Sequence, residues 1–208
     1  MFEPGDKSVQ YFSVAMAGDG AAGDEQQAVM VPGYAGTLAQ RDAGRIRALR
    51  KHLAESMRDA REAKTQAAVT PPPEQPGGFR ASVARTACTL CRGWCCRNGG
   101  EHAYLDGRAL ARVRRERPEL DARAILRLYT DAVAEPAYAG SCMFHGASGC
   151  TLDRSLRSDL CNSYYCSGLE AFMKSETLPG KAIVLSAAEG KMRMSPVLTR
   201  DAGESGPG

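Results

Sequence analysis

Apolar side chains recur at intervals of three and four residues between positions 46 and 60, with charged residues between them. This period places them on one face of an α-helix, so the sequence predicts an amphipathic helix within residues 38–68. The apolar positions are Ile46, Leu49, Leu53, Met57 and Ala60. The pattern favours an arm that packs on its own domain, and a short coiled coil or a helix that binds a partner is the alternative.

The first 37 residues are glycine-rich and contain two short runs of strand-forming residues, at 9–16 and 27–31. The segment 18–23 separates the runs and is rich in glycine, so we expect an N-terminal β-hairpin. This segment also matches the G-x-G-x-x-G pattern of dinucleotide-binding loops. That pattern requires a helix after the third glycine, and Pro32-Gly33 closes the space for one, so we exclude a nucleotide site.

A run of three prolines followed by glycines marks residues 69–79 as a linker. The chain is therefore predicted to consist of five consecutive segments. These are a glycine-rich segment at 1–37, the amphipathic helix at 38–68, the linker at 69–79, a cysteine-cluster domain at 80–198 and a disordered tail at 199–208.

Helix signals in the cysteine-cluster domain predict two or three helices. Asp106 is a suitable N-cap for a helix over Gly107–Glu116. Asp121 is suited to cap a second helix that ends before Pro136, with Ile125, Leu128, Tyr129 and Ala132 on its apolar face. A third, short helix is expected at 169–174.

Strand signals follow near the end of the chain. Residues 182–186 and 192–194 flank Glu189-Gly190, which predicts a C-terminal β-hairpin. Together with the helices, this gives a small α+β fold.

Charge and hydropathy restrict the class of protein only in part. The chain has 208 residues and a net charge of +3, which is too small to identify an acidic partner. No apolar run approaches the ~20 residues of a membrane-spanning helix, so we expect no membrane association. The N-terminus lacks the pattern of a secretory signal, so we expect a cytoplasmic protein of bacterial type.

Eight cysteines lie between positions 88 and 166. In a reducing compartment, such a cluster is more typical of metal binding than of disulfides. Loops such as Cys88-x-x-Cys91, Cys142–Cys150 and Cys161–Cys166 have sizes that suit metal ligation. We therefore expect a loop-rich domain stabilised by metal, in which the ligands are Cys88, Cys91, Cys95, Cys96, Cys142, Cys150, Cys161 and Cys166. The spacing leaves open whether they form one centre or two.

The chain resembles a bacterial family of cysteine-cluster proteins, the YkgJ type (CxxCxxCC), described as zinc- or iron-chelating domains. The resemblance covers about residues 85–170 and rests on Cys88-x-x-Cys91, Cys95-Cys96-Arg97, the segment from Cys142 to Gly149-Cys150 and the segment from Arg157 through Cys161 to Cys166. It implies either an iron–sulfur cluster, of the 4Fe-4S kind, or Zn²⁺. A related cluster occurs in flagellin lysine N-methylases, but this chain has no glycine loop for S-adenosylmethionine.

Three functions remain open. The favoured one is a redox or metal-carrying accessory protein that acts with another protein. The alternatives are a zinc-stabilised module that binds protein or nucleic acid, and an enzyme that modifies a macromolecule. No catalytic arrangement of Ser, His and Asp is visible in the sequence, so no catalytic residue is assigned.

Other polar residues are weaker candidates for function. His102 and His145 are near the cysteines, and packing roles are favoured for both. Trp94 is expected to shield sulfur atoms from water. Seven arginines between Leu105 and Leu128 could line a nucleic-acid groove, although a solvated helix surface is the favoured interpretation.

Overall fold

The computed structural model describes the backbone of Ala15–Met16 and residues 26–40, 42–62 and 76–201. These residues form helices and strands in a small α+β fold, as the sequence predicted. They are grouped into two compact units that are discontinuous along the chain. The sheet unit comprises Met1–Ala35, Gln75–Arg92 and Tyr165–Gly208, and the helical unit comprises Gly36–Glu74 and Gly93–Tyr164. The predicted linker and tail lie mostly outside the described residues.

The sheet unit is a layer of strands covered on one face by two helices. The strands are β1 (Ala15–Met16), β2 (Gln26–Pro32), β7 (Lys181–Ala188), β8 (Lys191–Met194) and β9 (Leu198–Thr199). The helices are α2 (Gly78–Cys91) and α6 (Ser167–Lys174). Alternate residues of the central strands, Val29, Val31, Ala182 and Val184, are buried, as expected for a sheet with one covered face.

Both hairpins predicted for this unit are present in its described residues. β1 pairs with β2 in antiparallel fashion, and β7 pairs with β8 in the same way. Residues 9–14 of the first predicted strand lie outside the described residues. The two hairpins join through a parallel pairing of β2 with β7, which the sequence did not predict.

The expectation that Cys88 and Cys91 lie in a metal-binding loop is wrong. Both belong to the last turn of α2, and Arg92 ends the helix in the left-handed conformation with a φ of 56°. The residues Phe79, Val83, Ala87 and Cys91 recur every four positions and are buried. This period is a helix signal that the cysteine spacing obscured.

The helical unit contains α1 (Ala43–Glu62), α3 (Gly107–Glu116), α4 (Ala122–Asp131) and the short α5 (Asp159–Ser163). The side chains of Asp106 and Asp121 accept hydrogen bonds from Ala109 N and Ala124 N, which confirms both predicted N-caps. Four of the five apolar residues predicted on the α1 face are fully buried in the core of this unit: Leu49, Leu53, Met57 and Ala60. The favoured interpretation of α1 as an arm on its own domain is therefore confirmed.

Four short strands complete the helical unit in the order β3-β4-β5-β6. They are β3 (Leu38–Ala39), β4 (Ala137–Tyr138), β5 (His145–Gly146) and β6 (Gly149–Cys150). The β5–β6 hairpin brings Cys150 opposite His145. Within the described ranges, no helix has the length and apolar character needed to cross a bilayer.

Candidate metal centre

Five of the eight cysteines belong to the helical unit and come from four separate segments. Cys95 and Cys96 lie in a 3₁₀ helix, Trp94–Asn98, Cys142 precedes β5, Cys150 ends β6, and Cys161 lies in α5. Their thiols are close enough to influence one another electrostatically, since Cys142 and Cys150 both raise the pKa of Cys96. The fold therefore gathers residues up to 66 positions apart into one cluster, called here the thiol cluster.

Two glycines allow the segments of the thiol cluster to approach each other closely. A Cβ at Gly93 would lie 2.4 Å from His145 Nε2, and a Cβ at Gly99 would lie 2.7 Å from the Cβ of Cys142. Hydrogen bonds between the two backbones fix this approach, with Cys142 N donating to the carbonyl of Cys96 at 3.0 Å. A side chain at Gly99 would push Cys142 away from Cys96, and one at Gly93 would push away the ring of His145.

Cys161 is positioned by its own helix and by a neighbouring loop. The Ser158 hydroxyl accepts a hydrogen bond from Cys161 N at 3.1 Å and so caps the first turn of α5. The Cys161 Sγ lies 3.8 Å from the carbonyl oxygen of Ala103. Ala103 and Tyr104 have φ values of 50° and 56°, a conformation that costs free energy for residues other than glycine. The surrounding contacts hold this loop against the thiol cluster.

A buried arginine supports the segment that leads to Cys161. Arg112 is 2% exposed and donates to the carbonyls of Ser155 at 2.7 Å and of Arg157 at 2.6 Å. Tyr129 donates to the intervening carbonyl of Leu156 at 2.9 Å. Three consecutive carbonyls are thus satisfied by two side chains of the helical core. The expectation of a solvated helix surface is wrong at Arg112.

The two adjacent thiols differ in exposure and acidity. Cys95 is exposed, and a hydrogen bond from Cys96 lowers the pKa of Cys95 to about 7. That same hydrogen bond raises the pKa of Cys96, which is half-buried. The positive charge of Arg157 also lowers the pKa of Cys95, by less than the hydrogen bond does. The geometry therefore favours one ionised thiol in this pair before any metal binds.

Burial dominates the acidity of the other thiols. Burial raises the pKa of Cys142 to about 12, and desolvation also raises the pKa of Cys161. The positive charge of Arg45 lowers the pKa of Cys142, but by less than burial raises it. The guanidinium of Arg45 also pairs with Glu101 at 2.5 Å and donates to the carbonyl of Ser141. Arg45 thereby links α1 to both loops that flank the thiol cluster.

Cys88, Cys91 and Cys166 belong to the sheet unit. Cys88 is exposed and Cys91 is buried at the end of α2, whereas Cys166 is half-buried and precedes α6. All eight cysteines lie in described residues and are reduced thiols. The assignment of all eight as ligands, in one centre or two, stays a prediction. Among the described residues, no three Cys, His, Asp or Glu side chains are arranged as a set of metal ligands.

The aromatic and imidazole residues have packing partners. His145 is fully buried, its Nδ1 lies 2.7 Å from the Ser141 hydroxyl, and its ring packs against Tyr138. The Nδ1 atom of His102 accepts a hydrogen bond from Tyr104 N. Arg97 stacks on Trp94 at 3.5 Å from the ring centroid. These contacts agree with the packing roles favoured for both histidines.

The thiol cluster provides five sulfur atoms as potential metal donors, although no three of them are arranged as a ligand set in the described residues. Positive side chains lie near Cys95 and Cys142. Zinc and iron–sulfur clusters both select sulfur donors. The comparisons with known proteins add no constraint, because no family model, no curated protein and no solved structure matches this chain.

Replacing Gly99 with alanine is expected to destabilise the protein by about 1–3 kcal/mol, because the added methyl group overlaps the side chain of Cys142. The measurement is the urea midpoint of the full chain. Gly77→Ala is the matched control, because nothing lies within 4 Å of a Cβ at that position. Equal midpoints for the two variants would show that the segments of the thiol cluster do not pack as described.

Proposed function

We propose that this protein binds an iron–sulfur cluster or zinc through cysteine thiolates and acts as a metal-carrying or redox accessory protein. The observation that carries the proposal is the convergence of Cys95, Cys96, Cys142, Cys150 and Cys161 in one compact unit. Cysteines used only for packing have no reason to cluster from four distant segments. The resemblance to the YkgJ type supports the same proposal and is itself part of it.

These five residues would hold the metal, and the chain prepares them in distinct ways. Cys95 supplies the most acidic thiol of the adjacent pair, since a hydrogen bond from Cys96 stabilises its thiolate. Arg157 and Arg45 offset part of the negative charge that several thiolates create. Hydrogen bonds to backbone carbonyls keep the loops in place. An iron–sulfur cluster would supply electron transfer, whereas zinc would supply a structural cross-link.

Surface exposure of two cysteine residues favours an accessory role over a purely structural one. Cys95 and Cys161 are both exposed residues, although desolvation of its sulfur raises the pKa of Cys161. A groove of about 380 Å³ also lies beside Cys150, between the β5–β6 turn and residues 134–136. A partner protein could therefore reach the thiol cluster from solvent, which is what transfer of a metal or an electron requires.

The decisive experiment is anaerobic purification of the full chain, followed by elemental analysis for iron, sulfide and zinc and by a visible spectrum. Iron with equimolar sulfide and an absorption that bleaches on reduction would support the cluster. Stoichiometric zinc in a colourless protein would support the zinc-stabilised interaction module. A folded protein that holds neither metal, and takes up neither on reconstitution, would refute the proposal.

Separate replacement of Cys95 and Cys96 by serine is expected to give unequal results, because the two thiols differ in exposure and in the direction of their pKa shifts. The expected outcome is a different metal content per chain, or a different spectrum, for the two variants. Cys88→Ser gives a comparison within the sheet unit. Identical and complete loss of metal in both variants of the pair would contradict distinct roles for Cys95 and Cys96.

A further inference from the structure

The thiol cluster contains sulfur atoms in pairwise contact. The Cys96 thiol donates a hydrogen bond to the sulfur of Cys95, the residue before it. In the ranges that the structure covers, no three side chains form a set of metal ligands. A metal needs several donors around one point, whereas a disulfide needs only two thiols that reach each other. The arrangement of the reduced thiols therefore already meets the requirement for a disulfide.

Cys96 and Cys142 have the backbone separation of a disulfide pair. The Cys142 N–H donates to the carbonyl of Cys96 with an N to O distance of 3.0 Å. A hydrogen bond of this kind places the two Cα atoms about 5–6 Å apart, and disulfides span Cα distances of about 4.4–6.8 Å. Gly99 N donates to the same carbonyl, and a Cβ at Gly99 would lie 3.0 Å from the Cys142 sulfur. The missing side chain at Gly99 thus leaves the Cys142 sulfur beside the turn that carries Cys96.

The adjacent residues Cys95 and Cys96 are a poor final pair, although their sulfurs touch. Their Cα atoms are about 3.8 Å apart across a trans peptide, which is below the disulfide range. A bond between the two sulfurs would be strained and easily broken. Cys95 is exposed, Cys96 is half-buried and Cys142 is buried. An oxidant in solution would therefore meet Cys95 first.

We propose that the thiol cluster, when it holds no metal, is a site of oxidation by hydroperoxides. Cys95 reacts first, and a disulfide between Cys96 and Cys142 is the product. The proposal goes beyond metal binding and does not depend on it, because it requires only the reduced chain and the peroxide. The disulfide would remove two of the five sulfur donors, so oxidation would also lower the capacity of the same cluster for a metal.

The reaction takes three steps that balance. The Cys95 sulfur attacks one peroxide oxygen, the O–O bond breaks, a sulfenic acid forms and the other oxygen leaves as water. The Cys96 sulfur then attacks the Cys95 sulfur, so an S–S bond replaces the S–O bond and a second water leaves with the Cys96 proton. Finally the Cys142 sulfur attacks the Cys96 sulfur, and Cys95 leaves as a thiol with the Cys142 proton. Two thiols are oxidised by two electrons, and one peroxide is reduced to two waters.

The test uses the full chain, stripped of metal under reducing conditions, moved anaerobically into buffer without reductant and treated with one equivalent of hydrogen peroxide. Free thiols are then blocked with N-ethylmaleimide. Trypsin gives the peptide 93–97, which carries both adjacent cysteines, and the peptide 128–154. Chymotrypsin cuts after Phe144 and separates Cys142 from Cys150. The expected chain carries two fewer maleimide groups than the untreated chain, and its peptide 93–97 is linked to the fragment that contains Cys142.

Fragment spectra should place the link on Cys96 and a maleimide on Cys95. The variant Cys95→Ser is expected to form the link at least about 10-fold more slowly, because the exposed thiol that meets the peroxide is missing. Cys88→Ser is the matched control, since it also removes an exposed cysteine, and it should react at the wild-type rate.

Three outcomes would overturn the proposal. One is that no disulfide forms in the treated chain. Another is that the link joins peptide 93–97 to Cys150 or to a cysteine of the sheet unit. The third is that Cys95→Ser reacts as fast as the wild type. None of these measurements requires the chain to bind metal, so their failure is distinct from failure of the metal-binding proposal.

Discussion

Replacing Arg112 with methionine is expected to lower the free energy of unfolding by about 3–5 kcal/mol. The guanidinium is 2% exposed and satisfies the carbonyls of Ser155 and Arg157, besides lying 3.2 Å from a carboxylate oxygen of Asp159. Each buried carbonyl that loses its donor costs about 1–3 kcal/mol. The ionised partner Asp159 is about half exposed, so the carbonyls contribute most of the loss.

The urea midpoint of the full chain measures this effect, and Arg108→Met is the control on the same helix, because Arg108 is exposed. Arg112→Lys separates charge from geometry. A lysine keeps the charge but cannot reach two carbonyls and a carboxylate with a planar group, so most of the loss should persist. Wild-type stability in both Arg112 variants would show that the 155–157 segment does not depend on this arginine.

Removal of bound metal by a chelator, under reducing conditions, is expected to release α5 and the loops of the thiol cluster while α1, α3 and α4 stay folded. Structural zinc binding contributes about 10–16 kcal/mol at neutral pH, which is as large as the net stability of a whole domain. The core of the helical unit, however, is built on α1, α3 and α4, through side chains such as Leu53, Leu110 and Ile125. This core supports those helices without the metal.

Amide hydrogen exchange of the full chain measures the local stability of each segment separately. Residues 93–104 and 158–164 should exchange at least about 100-fold faster after chelation, equivalent to about 2.8 kcal/mol of lost local stability. The amides of α1, α3 and α4 should keep their protection, and added metal should restore the loops. Unchanged protection in 93–104 would show that the metal does not hold the loops, and collapse of protection in all three helices would show that the core depends on it.

The elements with strong local signals could be predicted from the sequence. α3 and α4 begin one residue after Asp106 and Asp121, because a short acidic side chain accepts the free amide hydrogen bonds of the first turn. The apolar period identified α1, and Glu189-Gly190 identified the β7–β8 hairpin, since both residues have positive φ. Each of these signals depends on residues within a few positions of one another.

Features that depend on distant residues could not be predicted. The parallel pairing of β2 with β7 joins residues more than 150 positions apart. The gathering of Cys95, Cys142 and Cys161 depends on hydrogen bonds between the backbones of separate loops. Arg112 is one of seven arginines between Leu105 and Leu128, and the neighbouring residues in the sequence do not show that it is the buried one.

The central claim is that cysteine sulfurs of the helical unit hold a metal. X-ray absorption at the metal edge of the anaerobically purified full chain tests this claim most directly, because it identifies the donor atoms and their distances. We expect a first shell of sulfur alone, at about 2.3 Å for zinc. A first shell dominated by oxygen or nitrogen, or one that is unchanged when Cys142 and Cys161 are both replaced by serine, would contradict it.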